Sequence, residues 1–120
     1  MKNLFLLTML SILFLTSCST SKTEHIKVAE NFTKKIMSGQ VEEALKYASE
    51  PTAQKLKFAI SNSSSFVKPN FKFSLIKDSI HKNESWVKFK NLEDNKTEVL
   101  YLIKNNGKWY VHFDPKKQKF

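Results

Sequence analysis

The sequence predicts an α+β domain in which N-terminal helices pack on a four-stranded antiparallel sheet, and three observations predict it. Apolar residues recur at helical spacing between Glu24 and Ile60, the period shortens to two from Phe71 onward, and Asn106-Gly107 lies between two alternating runs. Helices first and strands afterwards is the order of an α+β chain, and short links between strands favour antiparallel neighbours.

The first helix is predicted over 24–38, where Val28, Ala29, Phe32 and Ile36 share one face while Lys27, Glu30, Lys34 and Lys35 lie mostly opposite. Ser21 with Glu24 forms a candidate capping box at its start, Thr23 is the rival cap, and Gly39 supplies the stop. A second, shorter segment carries Val41, Ala44, Leu45 and Ala48 and breaks at Glu50-Pro51. Pro51 suits the first turn of a third helix, whose stripe is Ala53, Leu56, Ala59 and Ile60. The polar run Ser61-Asn62-Ser63-Ser64-Ser65 then reads as a loop.

Strand signals follow in Phe71, Phe73 and Leu75, and in Val87 and Phe89 flanked by Trp86, Lys88 and Lys90. Residues 98–104 are apolar on both sides, as a central strand would be. In the last strand Trp109, Val111 and Phe113 alternate with Tyr110, His112 and Asp114. Asn106-Gly107 joins these two strands because both turn positions need positive φ.

Ahead of this domain, one charge at Lys2 precedes an apolar stretch from Leu4 to Leu15, which small polar residues follow. That is the order of a secretory signal. A run of about 12 residues spans roughly 18 Å as a helix, short of a hydrocarbon core of about 30 Å. The stretch Leu15-Thr16-Ser17-Cys18 resembles the lipobox of bacterial lipoproteins, in which the cysteine is lipidated and becomes the new N-terminus. The resemblance implies residues 1–17 as signal peptide, 18–23 as lipidated Cys18 and tether, and 24–120 as one domain. Two or more acyl chains, as such lipoproteins carry, anchor stably where one is marginal. Ser19 stands where an aspartate is associated with inner-membrane retention, so the resemblance implies the outer membrane, facing the periplasm.

The formal charge is +9, and all 20 basic residues are lysines. Arginine's fork is the usual tool for phosphate and base-edge recognition, so its absence, together with export, argues against a nucleic-acid partner. The lysines read mainly as solvated surface, with some attraction to an anionic membrane as the rival. Cys18 is the single cysteine, which excludes an intrachain disulfide. Three scattered histidines and unclustered carboxylates give no metal spacing, and two distant glycines cannot form a phosphate loop, so neither metal nor cofactor is expected.

In arrangement the chain resembles the nuclear-transport-factor-two-like superfamily, a cone-shaped α+β fold with helices over a curved sheet. More narrowly it resembles small bacterial lipoproteins grouped as a domain of unknown function, once labelled lumazine-binding-like. The lipobox, the stretch Ser38-Gly39-Gln40-Val41-Glu42-Glu43-Ala44-Leu45-Lys46-Tyr47 and the closing Asn106-Gly107-Lys108-Trp109-Tyr110-Val111 carry that resemblance. It implies a pocket between sheet and helices, in a fold that hosts both enzymes and binding modules.

Candidate pocket-lining residues are Tyr101, Trp109, Phe89 and Phe73, an aromatic set that either lines a cavity or fills a core. Tyr101 and Trp109 are the better contacts, since each has a polar tip that wants a partner. Tyr110, His112 and Asp114 share one side of the last strand, but that side is opposite the apolar one and reads as facing water. No catalytic residue is assigned, and His25 and His81 add little at a helix start and a turn. The sequence therefore points to a membrane-anchored, non-enzymatic binding domain for a small apolar ligand or an envelope protein. The alternative is an inhibitor or immunity lipoprotein whose basic surface meets an acidic protein partner.

Overall fold

A computed structural model of the chain describes residues 23–61 and 66–120. Three helices, α1 (Glu24–Met37), α2 (Val41–Leu45) and α3 (Glu50–Ser61), precede four strands, β1 (Phe73–His81), β2 (Glu84–Asn91), β3 (Thr97–Asn105) and β4 (Lys108–Val111). The strands form one antiparallel meander in the order β1-β2-β3-β4, so the architecture is α+β.

Helix α1 buries His25, Ala29, Phe32 and Thr33, a stripe at helical spacing, and lies mainly against β4 and α2. Thr23 occupies its N-cap position without a side-chain bond, and Ser21 lies outside the described residues. The stop is a Schellman motif: Gln40 N–H donates to Lys35 C=O at 2.8 Å and Gly39 N–H to Ile36 C=O at 3.1 Å. Gly39 has φ +81°, which glycine adopts without a Cβ penalty.

Two helical expectations need correction. The second segment is helical only to Leu45, and Tyr47–Ser49 then runs beside β4 as a parallel bridge. Val111 N–H donates to Tyr47 C=O at 2.8 Å and Ser49 N–H to Val111 C=O at 2.9 Å, which satisfies the outer edge of a strand that lacks another neighbour. In α3 the predicted stripe is buried only at its start: Ala53 is in the core, Leu56 and Ile60 are half-buried, and Ala59 is exposed. The bridge fixes where α3 begins, and the helix leaves the core as it proceeds.

β1 is longer than the alternation at Phe71–Leu75 suggests. A bulge at Ile76 shifts the register between Leu75 and Lys77, so the phase of inward residues slips by one and the second half of the strand no longer alternates in the sequence. β2 alternates without interruption, burying Ser85, Val87, Phe89 and Asn91. Asn106 and Gly107, at φ 51° and 78°, make the predicted hairpin between β3 and β4.

Helices cover the sheet face bearing Val87, Phe89, Leu100, Leu102, Trp109 and Val111. The opposite face is closed by the C-terminal segment. Trp86 Nε1 donates to Lys117 C=O at 2.7 Å, Lys117 Nζ lies 3.2 Å from Glu84, and Lys77 Nζ sits 4.3 Å from the Phe120 ring centroid. This cover explains why β3 is apolar on both sides: Tyr101, paired with Trp86 in register, is buried there.

Candidate functional site

Helix α1, the Lys46-Tyr47 link and β4 enclose an open cleft of about 320 Å³. From α1 come Glu24, Lys27, Val28 and Asn31, spaced i, i+3, i+4 and i+7, so one flank of a single helix forms a wall. Lys46 and Tyr47 close one end, and Lys108, Trp109 and Tyr110 supply the opposite wall. The helix has two working flanks: Ala29 and Phe32 face the core, while Lys27 and Asn31 are exposed beside the cleft.

Trp109 forms the floor. It is 6% exposed, its ring is 5.9 Å from that of His25, and Lys104 Nζ lies 5.6 Å from its centroid. Its indole N–H has no acceptor among the described residues, unlike that of Trp86. Three lysines stand on the rim. Lys46 lies 3.3 Å from Glu43, whereas Lys27 and Lys108 have no ion pair among the described residues.

Behind Trp109, His25 is fully buried and its Nε2 is 2.7 Å from Asp78 Oδ2. A carboxylate only accepts, so Nε2 carries the proton, and Nδ1 is left buried without a partner. Asp78 comes from the part of β1 beyond the bulge. Its side chain is 34% exposed, so the pair links the core to the surface. This corrects the reading of His25 as a minor helix-start residue. Its signal was its spacing, because position 25 continues the stripe of 28, 29, 32 and 36 back by one turn.

A second cleft, of about 350 Å³, opens on the far side of β4 between the start of α3 and the Asn105-Asn106 turn. His112 lies here, and it is half-buried rather than facing water as expected. The strand ends at Val111, and the ring turns so that Nδ1 is 2.7 Å from Ser49 Oγ, with its centroid 6.1 Å from that of Tyr101. Ser49 Oγ donates to Thr52 Oγ1 at 2.9 Å, and Thr52 also accepts Phe113 N–H at 2.8 Å. A hydroxyl has one proton, so with that proton on Thr52 the serine accepts from Nδ1–H. The chain of bonds ties β4 to the N-terminus of α3. Tyr110 borders both clefts, and Asp114 turns back to accept from Lys116 N–H at 3.0 Å.

Of the four predicted pocket residues, only Trp109 lines a ligand-sized cleft. Tyr101 is on the other sheet face, where its hydroxyl donates to Glu84 at 2.6 Å. That bond, and then the one from Lys117, hold the Glu84 carboxyl below its ordinary range, while burial first and Glu84 second push the Tyr101 phenol up. Phe73 and Phe89 stack with centroids 4.8 Å apart, and the recess beside Phe89 holds only about 10 Å³, so both fill the core. The sequence reading missed Lys27, Lys46, Tyr47 and Lys108. Lys46 and Tyr47 reach the cleft through the bridge between Tyr47–Ser49 and β4, which helical periodicity does not announce, and Lys27 and Lys108 through the packing of α1 on β4.

Cys18 lies outside the described residues. Among the described residues no helix is long and apolar enough to cross a membrane, and no group of three or more His, Cys, Asp or Glu is placed to hold a metal. No protein-family model, curated protein or solved structure matches this chain.

Proposed function

We propose that the chain is a cell-envelope lipoprotein, anchored through lipid on Cys18 at the outer membrane and facing the periplasm, whose domain binds a small ligand without catalysis. The superfamily resemblance belongs to the same proposal. The observation that carries the binding reading is the cleft over Trp109. At about 320 Å³ it is at the small end of ligand pockets, its floor is aromatic and aliphatic, and its convergent polar groups are lysine, amide and hydroxyl.

The absence of catalysis is inferred from what meets there. General acid–base or nucleophilic catalysis needs a group with a partner that sets its protonation, within reach of the substrate. In the described part of the cleft, Glu24 is an exposed first-turn carboxylate and His25 is turned inward to Asp78. The Ser49–His112 pair opens on the other cleft, and no carboxylate among the described residues holds the far ring nitrogen of His112 to orient it as a base. Native mass spectrometry of the protein extracted from membranes tests the reading. A retained small molecule that is lost in Lys27→Glu/Lys108→Glu supports it. A bare protein that turns over a substrate, and loses that turnover in His112→Ala, would replace it with an enzyme.

A further inference from the structure

The cleft is polarised. Its floor, Trp109 with Val28 and Tyr47, is apolar, and its rim carries three ammonium groups against one carboxylate, Glu24. Lys27 from α1 and Lys108 from β4 line this one cleft, and among the described residues no carboxylate is paired to either. Lys46, the third rim lysine, lies 3.3 Å from Glu43 and is already paired. Two cations and an indole N–H that line one cleft, none of them paired among the described residues, form a site for an anion with an apolar neighbour. A bare phosphate would leave the floor uncovered, and a neutral apolar ligand would leave the ammonium groups unused.

The wall of this cleft begins at Glu24, the first residue of α1. Fully extended, the chain from Cys18 to Glu24 spans at most about 20 Å, so a lipid-anchored Cys18 holds the cleft close to the headgroup layer. Half-buried Tyr47 and Tyr110 add aromatic side chains of the kind that favour a membrane interface. We infer that the cleft seats the headgroup of an anionic, hydroxyl-bearing phospholipid of the phosphatidylglycerol type from the membrane carrying the anchor. The phosphate lies between Lys27 and Lys108 and accepts the Trp109 indole N–H, and the glycerol hydroxyls reach Glu24 and Asn31. A choline headgroup would present its cation to the two lysines and is disfavoured. The volume admits a headgroup and leaves the acyl chains in the bilayer. The inference deepens the proposed binding function and rests on it.

The test uses the mature protein purified from membranes, titrated with dihexanoyl phosphatidylglycerol, dihexanoyl phosphatidylcholine and glycerol 3-phosphate below micelle-forming concentrations. Binding is followed by NMR at the Trp109 indole N–H. Phosphatidylglycerol should bind most tightly, and each lysine removed should weaken it about five-fold, roughly 25-fold for Lys27→Gln/Lys108→Gln, with raised salt acting in the same direction. Phosphatidylcholine binding as tightly, or a double variant with unchanged affinity, would overturn the inference. Glycerol 3-phosphate binding as tightly as phosphatidylglycerol would do the same, by pointing to a soluble phosphate ligand. Mass spectrometry of Cys18 in the same sample separates the two readings. Acylated protein that ignores phosphatidylglycerol removes the headgroup and keeps the anchor, whereas unmodified protein that binds it removes the anchor and keeps the cleft.

Discussion

Replacing Trp109 by alanine removes the floor of the cleft and part of the core together. The side chain is 6% exposed, so nearly all of the roughly 150–250 Å² that an aromatic side chain buries is withdrawn from water. At about 25 cal/mol per Å² that is about 4–6 kcal/mol, an upper bound because unfolded chains already bury some area. Measured Trp-to-Ala changes of about 3–5 kcal/mol agree. The His25 ring would lose its packing partner, and the cation–π contact of Lys104 would go, worth about 0.5–1 kcal/mol at an exposed position. For a domain of this size each kcal/mol lowers Tm by about 4–8 °C, so Trp109→Ala should melt at least about 12 °C below the parent in thermal unfolding followed by circular dichroism. A shift of only a few degrees would refute the placement of Trp109 between sheet and helix.

Cys18→Ala should leave the membrane fraction or persist as uncleaved precursor, and a metabolic acyl probe that still labels it would sink the anchor. In a double-mutant cycle, His25→Ala and Asp78→Ala should couple by about 1–3 kcal/mol, since each alone strands its partner; simple additivity would show that the 2.7 Å contact contributes nothing. Ser49→Ala and His112→Ala should each lower stability by about 0.5–1.5 kcal/mol, and the double variant by less than their sum, as urea titration will show. Glu84 has a depressed folded pKa, so its contribution is present above about 4.5 and is lost as pH falls through the folded value; Trp86 emission should report loosening of the C-terminal segment in that window, and Glu84→Gln should flatten the response.

The parts of the fold that were legible are those in which one residue decides the geometry or one period runs uninterrupted. Gly39 stops α1, Asn106-Gly107 turns the last hairpin, and β2 alternates along its whole length. What was hidden depends on contacts between distant segments. One extra residue at Ile76 reverses the phase of β1 and brings Asp78 to His25, so although the helical spacing marks His25 as inward, its partner could not be recognised from the neighbourhood of Asp78. The Tyr47–Ser49 bridge exists because β4 needs an edge partner, and it overrides the helical spacing of Val41, Ala44, Leu45 and Ala48. The same bridge brings Tyr47 and Lys46 to the cleft and Ser49 to His112. Trp109 was identifiable from its own side chain, a large ring with one donor, whereas the lysines around it look in the sequence like any other of the 20. Their convergence is a property of the fold: the packing of α1 on β4 brings Lys27 and Lys108 to one cleft, and the Tyr47–Ser49 bridge adds Lys46 beside them.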